Sequence, residues 1–234
     1  MTTQSVPQAV SDVKSDYIVA KFGGTSVANF DAMSRCSEII VADKSVRIVA
    51  VSASAGVTNH LVALCKSSIT PKQRQEHIDG VLAIQQAILD ELSLDADLAV
   101  GFNETLKAFQ TLALETLTTD QQHDELLSFG ERLSSYLFAQ VLRLKGLNAD
   151  RFDVRQVLKT DSQFGKATPN VSATAQAAKE YLIPLLDDQV IVTQGFVGSD
   201  EFGQTTTLGR GGSDYSAALL AEAINAKSVH IWTD

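Results

Sequence analysis

Residues 17–26 read YIVAKFGGTS. Tyr17 to Phe22 form a short apolar run that stops at the pair Gly23-Gly24, and residues 30–42 then repeat apolar side chains at helical spacing. The pattern recurs. VRIVAVSA, from Val46 to Ala53, is rich in β-branched residues and gives way to small residues before a helical segment over 57–67. A strand, a turn of small residues and a helix, taken twice in succession, predict a parallel sheet covered by helices, with ligands bound beyond the carboxyl ends of the strands.

The middle of the chain departs from this rhythm. Residues 71–92, 96–118 and 120–146 predict three long helices, with apolar steps such as Ile84, Ile88 and Leu92 or Leu133, Leu137 and Val141. The sheet resumes over 149–154, and an amphipathic helix is expected from Ser172 to Leu186. VIVTQGFVGSDEFGQTTTL, residues 190–208, reads as a buried strand, a loop and two short strands around the turn Ser199 to Gly203. A helix over 214–225 and a final strand, SVHIWTD, complete the chain. The expected class is therefore α/β: a three-layer sandwich with a largely parallel central sheet and an inserted helical layer. A chain ending on the carboxyl edge of a strand is expected to be truncated.

Composition narrows the function. Of the 234 residues, 44% are apolar and 20% charged, as in a soluble globular domain, and the formal net charge of −9 argues against a nucleic-acid surface or an anionic membrane face. No apolar run is long enough to span a bilayer. Residues 1–16 have neither a basic start nor an apolar stretch, which predicts a disordered polar tail on a cytoplasmic protein. Cys36 and Cys65 fall at apolar positions of predicted helices and read as buried, reduced thiols. The four histidines lack metal-ligand spacing, so no protein-built metal site is expected.

The glycine-rich stretch LGRGGSD, residues 208–214, invites a phosphate-loop reading that fails on spacing. No glycine there precedes Lys-Ser or Lys-Thr, and the third glycine of a dinucleotide fingerprint would fall on Asp214. Ser213 or Asp214 is expected to cap the following helix. Arg210 has no such structural duty, and a guanidinium among glycines suits a carboxylate or phosphate. Lys21, at the end of a strand before two glycines, either snorkels to solvent or supplies a cation to a phosphate that Gly23 and Gly24 let approach. Ser52, Ser54 and Thr58 form a hydroxyl cluster at a helix start, where capping explains one of the three and a bound carboxylate would explain the rest. Glu131 follows Gly130 inside a predicted helix. An interior glycine there costs about 1 kcal/mol against alanine, which implies a close approach by another group and marks Glu131 as a candidate for a ligand ammonium.

Taken in order, KFGGTSV (21–27), VSASAGVTN (51–59), SFGERLSS (128–135), FDVR (152–155), VTQGFVGS (192–199), TTTLGRGGSDYSAALLA (205–221) and IWTD (231–234) resemble the aspartokinase family of the amino-acid kinase fold, particularly its lysine-sensitive type. The resemblance runs from Ile18 to Asp234 and identifies residues 17–234 as the substrate-binding part of a kinase catalytic domain. It implies ATP-dependent phosphorylation of the side-chain carboxylate of L-aspartate to 4-phospho-L-aspartate, the entry step to lysine, threonine and methionine synthesis. Lys21 and Asp214 would be catalytic, with Asp214 orienting Lys21 or meeting the substrate ammonium. Ser52, Thr58, Glu131, Arg210 and Ser213 would hold the amino acid, Arg210 by its α-carboxylate and Glu131 by its ammonium. Lys21, Gly23, Gly24, Thr233 and Asp234 would meet the nucleotide, and Mg²⁺ would arrive on its phosphates.

The same resemblance implies a homodimer for the full-length protein. It also implies a remaining nucleotide-binding stretch and regulatory ACT domains beyond Asp234, so the piece by itself is expected to be weakly active or inactive. Two other readings stay open at this point. One is a related kinase acting on another acid; the other is an amino-acid-binding or dimerisation module without catalysis.

Overall fold

A computed structural model describes residues 15–233. The expected tail therefore falls almost wholly outside the described residues, as does Asp234. Five strands, β1 (Ile18–Phe22), β2 (Val46–Val51), β3 (Ala149–Arg151), β4 (Val190–Gln194) and β7 (Ser228–Trp232), form one sheet in the order β3-β4-β2-β1-β7, with every neighbouring pair parallel. Strands β5 (Val197–Ser199) and β6 (Thr205–Thr207) make a separate antiparallel hairpin around the expected turn.

Strand alternation sorts side chains to two faces. Ile18, Ala20 and Phe22 point to one side, where they meet helix α1 (Phe30–Ala42) and the second half of helix α5 (Asp120–Leu144) through Leu133, Leu137 and Phe138. Val19, Ile48, Ala50 and Ile191 face the other side, against helix α6 (Val171–Ala177) and helix α7 (Gly212–Ala223). The three layers are those that the strand, turn and helix repeat predicts.

The inserted helices are α2 (Val57–Leu64), α3 (Pro71–Leu89) and α4 (Ala96–Ala113). With the first half of α5 they build a further core from Val57, Leu61, Ile78, Val81, Phe109 and Phe129 beyond the carboxyl edge of the sheet. Helix α5, 25 residues and so about 37 Å long, belongs to both cores. It can do so because of one glycine. A Cβ on Gly130 would lie 2.6 Å from that of Ala53, so the helix crosses the turn after β2 at backbone distance. The approach inferred for Gly130 is thus by the protein's own Ala53. Four residues on, the Ser134 hydroxyl donates to the Ser52 carbonyl at 2.7 Å and closes the contact.

Several boundaries differ from expectation. The second strand ends at Val51 rather than Ala53, and the third at Arg151 rather than 154, because Val154–Gln156 turn into a short 3-10 segment around Arg155. Helix α2 stops at Leu64 rather than 67. The helix expected over 172–186 is regular only to Ala177, then widens through Ala178–Leu182 and tightens at Ile183–Leu185, where Pro184 has no amide to continue the ladder. Cys36 and Cys65 are unpaired as expected, but only half-buried.

Alanine in place of an interior helix glycine ordinarily stabilises by about 1 kcal/mol. At Gly130 the sign is expected to reverse. Overpacking against Ala53 should make Gly130→Ala less stable by about 1–3 kcal/mol, read from urea unfolding, and an unchanged or raised midpoint would refute the contact.

Candidate active site

The carboxyl ends of β1 and β2 and the starts of α2 and α7 surround a cavity of about 590 Å³. Of the residues singled out from the sequence, it brings together Lys21, Gly23, Gly24, Ser52, Thr58, Glu131, Arg210, Ser213, Asp214 and Thr233. Asp234 lies outside the described residues.

Alternation along β1 sends Lys21 to the same face as Val19, toward the first turn of α7. Its ammonium meets the Asp214 carboxylate at 2.7 Å with only 7% of the side chain exposed, so the snorkelling alternative is excluded. The following glycines pass through a narrow gap. The Gly23 amide donates to the Trp232 carbonyl at 3.1 Å, and a Cβ on Gly24 would sit 2.9 Å from the Ala53 carbonyl oxygen. At Gly24 no side chain fits without displacing that backbone, whereas a Cβ on Gly23 would meet only ordinary contacts, the nearest at 3.6 Å.

Neither helix that opens on the cavity is capped as expected. Helix α2 begins at Gly56 and α7 at Gly211, both in the left-handed region at φ 90° and 77°, and neither start has a side-chain cap. Ser213 and Asp214 instead stand inside the first turn of α7. The left-handed glycine has already turned the chain, so neither residue has the extended backbone that a capping side chain needs. By contrast, α1, α3, α5 and α6 carry ordinary side-chain caps at Asn29, Thr70, Thr119 and Asn170. The hydroxyl cluster is likewise spared for the cavity: Ser54 is 1% exposed, its Oγ has no hydrogen-bond partner, and it lines the same space as Ser52 and Thr58.

Glu131 is the buried acid of the cavity. Burial pushes its carboxyl up to about 8, against the opposing pull of the Ala53 amide and of Lys21. At neutral pH it therefore holds its proton until a cation arrives. Arg210, by contrast, is exposed at the cavity rim and has no hydrogen-bond or ion-pair partner among the described residues. The charges are balanced in kind but unequal in freedom. Lys21 and Asp214 satisfy each other, while Glu131 and Arg210 line the same cavity without an ion pair between them.

Two features here escape sequence reasoning. Phe196, which lines the cavity, adopts a left-handed backbone at φ 68°, a strain of roughly 1–2 kcal/mol for a residue with a Cβ. It is held by the Ser216 hydroxyl on its amide at 3.1 Å and by the Leu208 amide on its carbonyl at 3.0 Å. Glycines then interlock around it. A Cβ on Gly195 would meet Ser213 at 2.8 Å, and one on Gly212 would meet the Phe196 ring at 2.8 Å. The only hint in the sequence is the Gly-Phe step after a strand.

The FDVR stretch, in turn, lines no part of the cavity. Arg155 grips Asp153 through two hydrogen bonds of 2.9 and 2.7 Å and reaches Thr205 at 2.9 Å, bracing the end of β3 against the hairpin. Burial opposes ionisation of Asp153, yet Arg155 and Arg151 overcome it and draw the carboxyl down to about 2.

The sequence profile of the amino acid kinase family matches residues 16–234. Among curated relatives, lysine-sensitive aspartokinase 3 of Escherichia coli is 47% identical over 94% of this chain and 49% of its own length. An aspartokinase of Chlamydia trachomatis is 37% identical over 93% of this chain and 48% of its own. Among solved structures, E. coli aspartokinase III in complex with aspartate and ADP superposes with a TM-score of 0.88, covering 93% of this chain and 49% of that one. The chain thus spans about half the length of the relatives it matches. The profile covers nearly the whole chain and the fold superposes on that of an aspartokinase, and the chain belongs to the amino acid kinase family.

Proposed function

We propose that the protein transfers the terminal phosphoryl group of ATP to the side-chain carboxylate of L-aspartate, yielding 4-phospho-L-aspartate and ADP. The observation that carries this reading is the presence in one cavity of a buried carboxyl, Glu131, and of a guanidinium, Arg210, that has no partner among the described residues. An α-amino acid presents the matching ammonium and α-carboxylate. The aspartokinases among the relatives support the same acid.

In this reading Arg210 takes the α-carboxylate and Glu131 the ammonium, with Ser52, Thr58 and Ser213 closing around the substrate. A side-chain carboxylate oxygen attacks the terminal phosphorus, a new O–P bond forms, and the bond to the ADP oxygen breaks. No proton has to move, so the site needs no general base. What it must supply is alignment and positive charge along the reaction line. Lys21, already fixed by Asp214 in a water-poor position, is the cation for the transferring group. Gly23 and Gly24 leave the backbone open to the nucleotide phosphates, and Thr233, which also lines the cavity, would meet the nucleotide.

Magnesium enters on the nucleotide, where it offsets phosphate charge, and no residue of this chain is assigned to it. The homodimer, the cytoplasmic location and the absence of nucleic-acid or membrane partners belong to the same proposal. So does the assignment of residues 17–234 to the catalytic domain. No described helix is long and apolar enough to cross a membrane. Of the competing readings, a kinase for an N-acylated acid is disfavoured because it would leave Glu131 facing no ammonium. A binding module without catalysis would give the Lys21 and Asp214 pair nothing to do.

Lys21→Ala is expected to lower turnover by roughly three orders of magnitude, as for other cations on a transferring phosphate. Hydroxylamine trapping of the acyl phosphate measures this; near-wild-type rates would remove Lys21 from the mechanism. Arg210→Ala should mainly raise KM for aspartate, by about 10- to 100-fold, the worth of a charge-assisted hydrogen bond. A loss confined to kcat would reassign it.

Proton linkage gives a further prediction. Because the empty pocket holds Glu131 protonated below about pH 8, capture of an ammonium must release that proton, so aspartate affinity should climb as pH rises toward that value. Fold stability should move the other way, falling as pH rises from the ordinary carboxyl range through about 8, because the unfolded chain gives up a proton that the fold retains. Calorimetry at neutral pH in two buffers of different ionisation enthalpy should show up to one proton released per aspartate, and none in Glu131→Gln. Equal heats in both buffers for the wild type would contradict the assignment.

A further inference from the structure

Asp124 is fully buried near the start of α5, outside the cavity, and no feature of its sequence neighbourhood marks it. Its carboxylate is nonetheless fully engaged. It accepts the Gly165 amide at 2.8 Å, the Thr207 amide at 2.8 Å and the Thr207 hydroxyl at 2.7 Å. Thr207 is the last residue of β6, and the chain passes from it directly into Leu208, Gly209 and Arg210. Gly165 approaches the same segment from the other side: a Cβ on Gly209 would lie 3.2 Å from the Gly165 carbonyl oxygen. The Ala167 amide donates to the Thr207 carbonyl at 2.9 Å and closes the ring of contacts.

The Arg210 loop is thus tied to α5 through backbone groups on two strands of chain, and α5 is the helix that carries Glu131. Residues 124 and 131 are seven apart, two turns along one helical face. Resting on the amino-acid reading above, we propose that Asp124 is a positioning residue that fixes the Arg210 loop to α5 and so sets the separation between the groups gripping the substrate's α-carboxylate and its ammonium. Its effect passes entirely through Arg210.

That route is what separates the proposal from a general structural role. L-aspartate binding is measured by calorimetry for the wild type, Asp124→Asn, Arg210→Ala and the double variant. An asparagine oxygen can keep both backbone amides and its amino group faces the Thr207 hydroxyl, so what Asp124→Asn removes is the charge on these bonds; it should weaken aspartate by about tenfold, the difference between charged and neutral acceptors. In the Arg210→Ala background the same change should cost less than about twofold, because the loop no longer holds a ligand group. Equal losses in both backgrounds would overturn the proposal.

Thr207→Val, which deletes only the hydroxyl donor, provides the milder variant should Asp124→Asn fold poorly. It should weaken aspartate by about threefold, again only while Arg210 is present. Amide exchange gives a readout independent of ligand. Asp124→Asn should speed exchange over residues 164–168 and 207–212 and leave β1 unchanged; unaltered protection there would also overturn the proposal. If the wild-type chain does not bind aspartate, the amino-acid reading fails, and the exchange experiment still decides whether Asp124 holds the loop.

Discussion

The crossing of α5 over the turn after β2, at the contact between Gly130 and Ala53, is the constraint on which the other features of this chain depend. One missing methyl group lets a helix pass a strand end at backbone distance. Because α5 is long enough to serve two cores, the contact also fixes the helical cluster against the sheet. Glu131 is the next residue, so the same crossing buries the carboxyl and aims it at the strand ends. Its raised pKa follows from that packing and from nothing more local.

The cavity divides its charged groups by exposure. Lys21 is clamped by Asp214, with almost no exposure, whereas Arg210 rides on glycines at the rim. A phosphoryl transfer benefits from this division. The cation on the reaction line must be placed before the reactants meet, while the group that recognises the substrate has to be reached from solvent. The chain is acidic as a whole, with a formal net charge of −9, so two positive side chains held at one sheet edge are a local arrangement rather than a reflection of composition.

Much of this was legible in the residues. The apolar run ending in Lys21 and two glycines, repeated in kind at Ser52, announces a parallel sheet and says where its ligand lies. The order of motifs then names the family. What stayed hidden depends on partners far away in sequence. Phe196 looks like an ordinary core residue until Ser216 is found holding its amide in the left-handed region. Asp124 resembles any helical acid until Gly165 and Thr207 are found on it. Local rules also misled. Ser213 and Asp214 have capping chemistry, but Gly211 turns the chain one step too early for them to use it. FDVR belongs to the family pattern without touching the cavity, because its ion pair braces the hairpin. Pro184 was visible throughout, yet helical periodicity carried the expected helix across it.

The uncapped starts of α2 and α7 have a consequence for the energetics of the whole chain. Four other helices satisfy their first amides with side chains, whereas these two at the cavity, like α4 away from it, have no side-chain cap. The first amide of each is met by the chain itself, Val57 on the Ser54 carbonyl and Gly212 on the Gly209 carbonyl, both at 3.0 Å, and no side chain stands over the rest of the turn. On the proposed reading, an anionic ligand in the cavity would also act as a terminal cap, favoured there by the helix dipole. Occupancy and folding then share one free energy: at a hundredfold excess of ligand over its dissociation constant the native state gains about 2.7 kcal/mol, a sizeable share of the 5–15 kcal/mol that typically holds a domain together. On that reading, the concentration of the ligand becomes one of the conditions that set how stable the chain is.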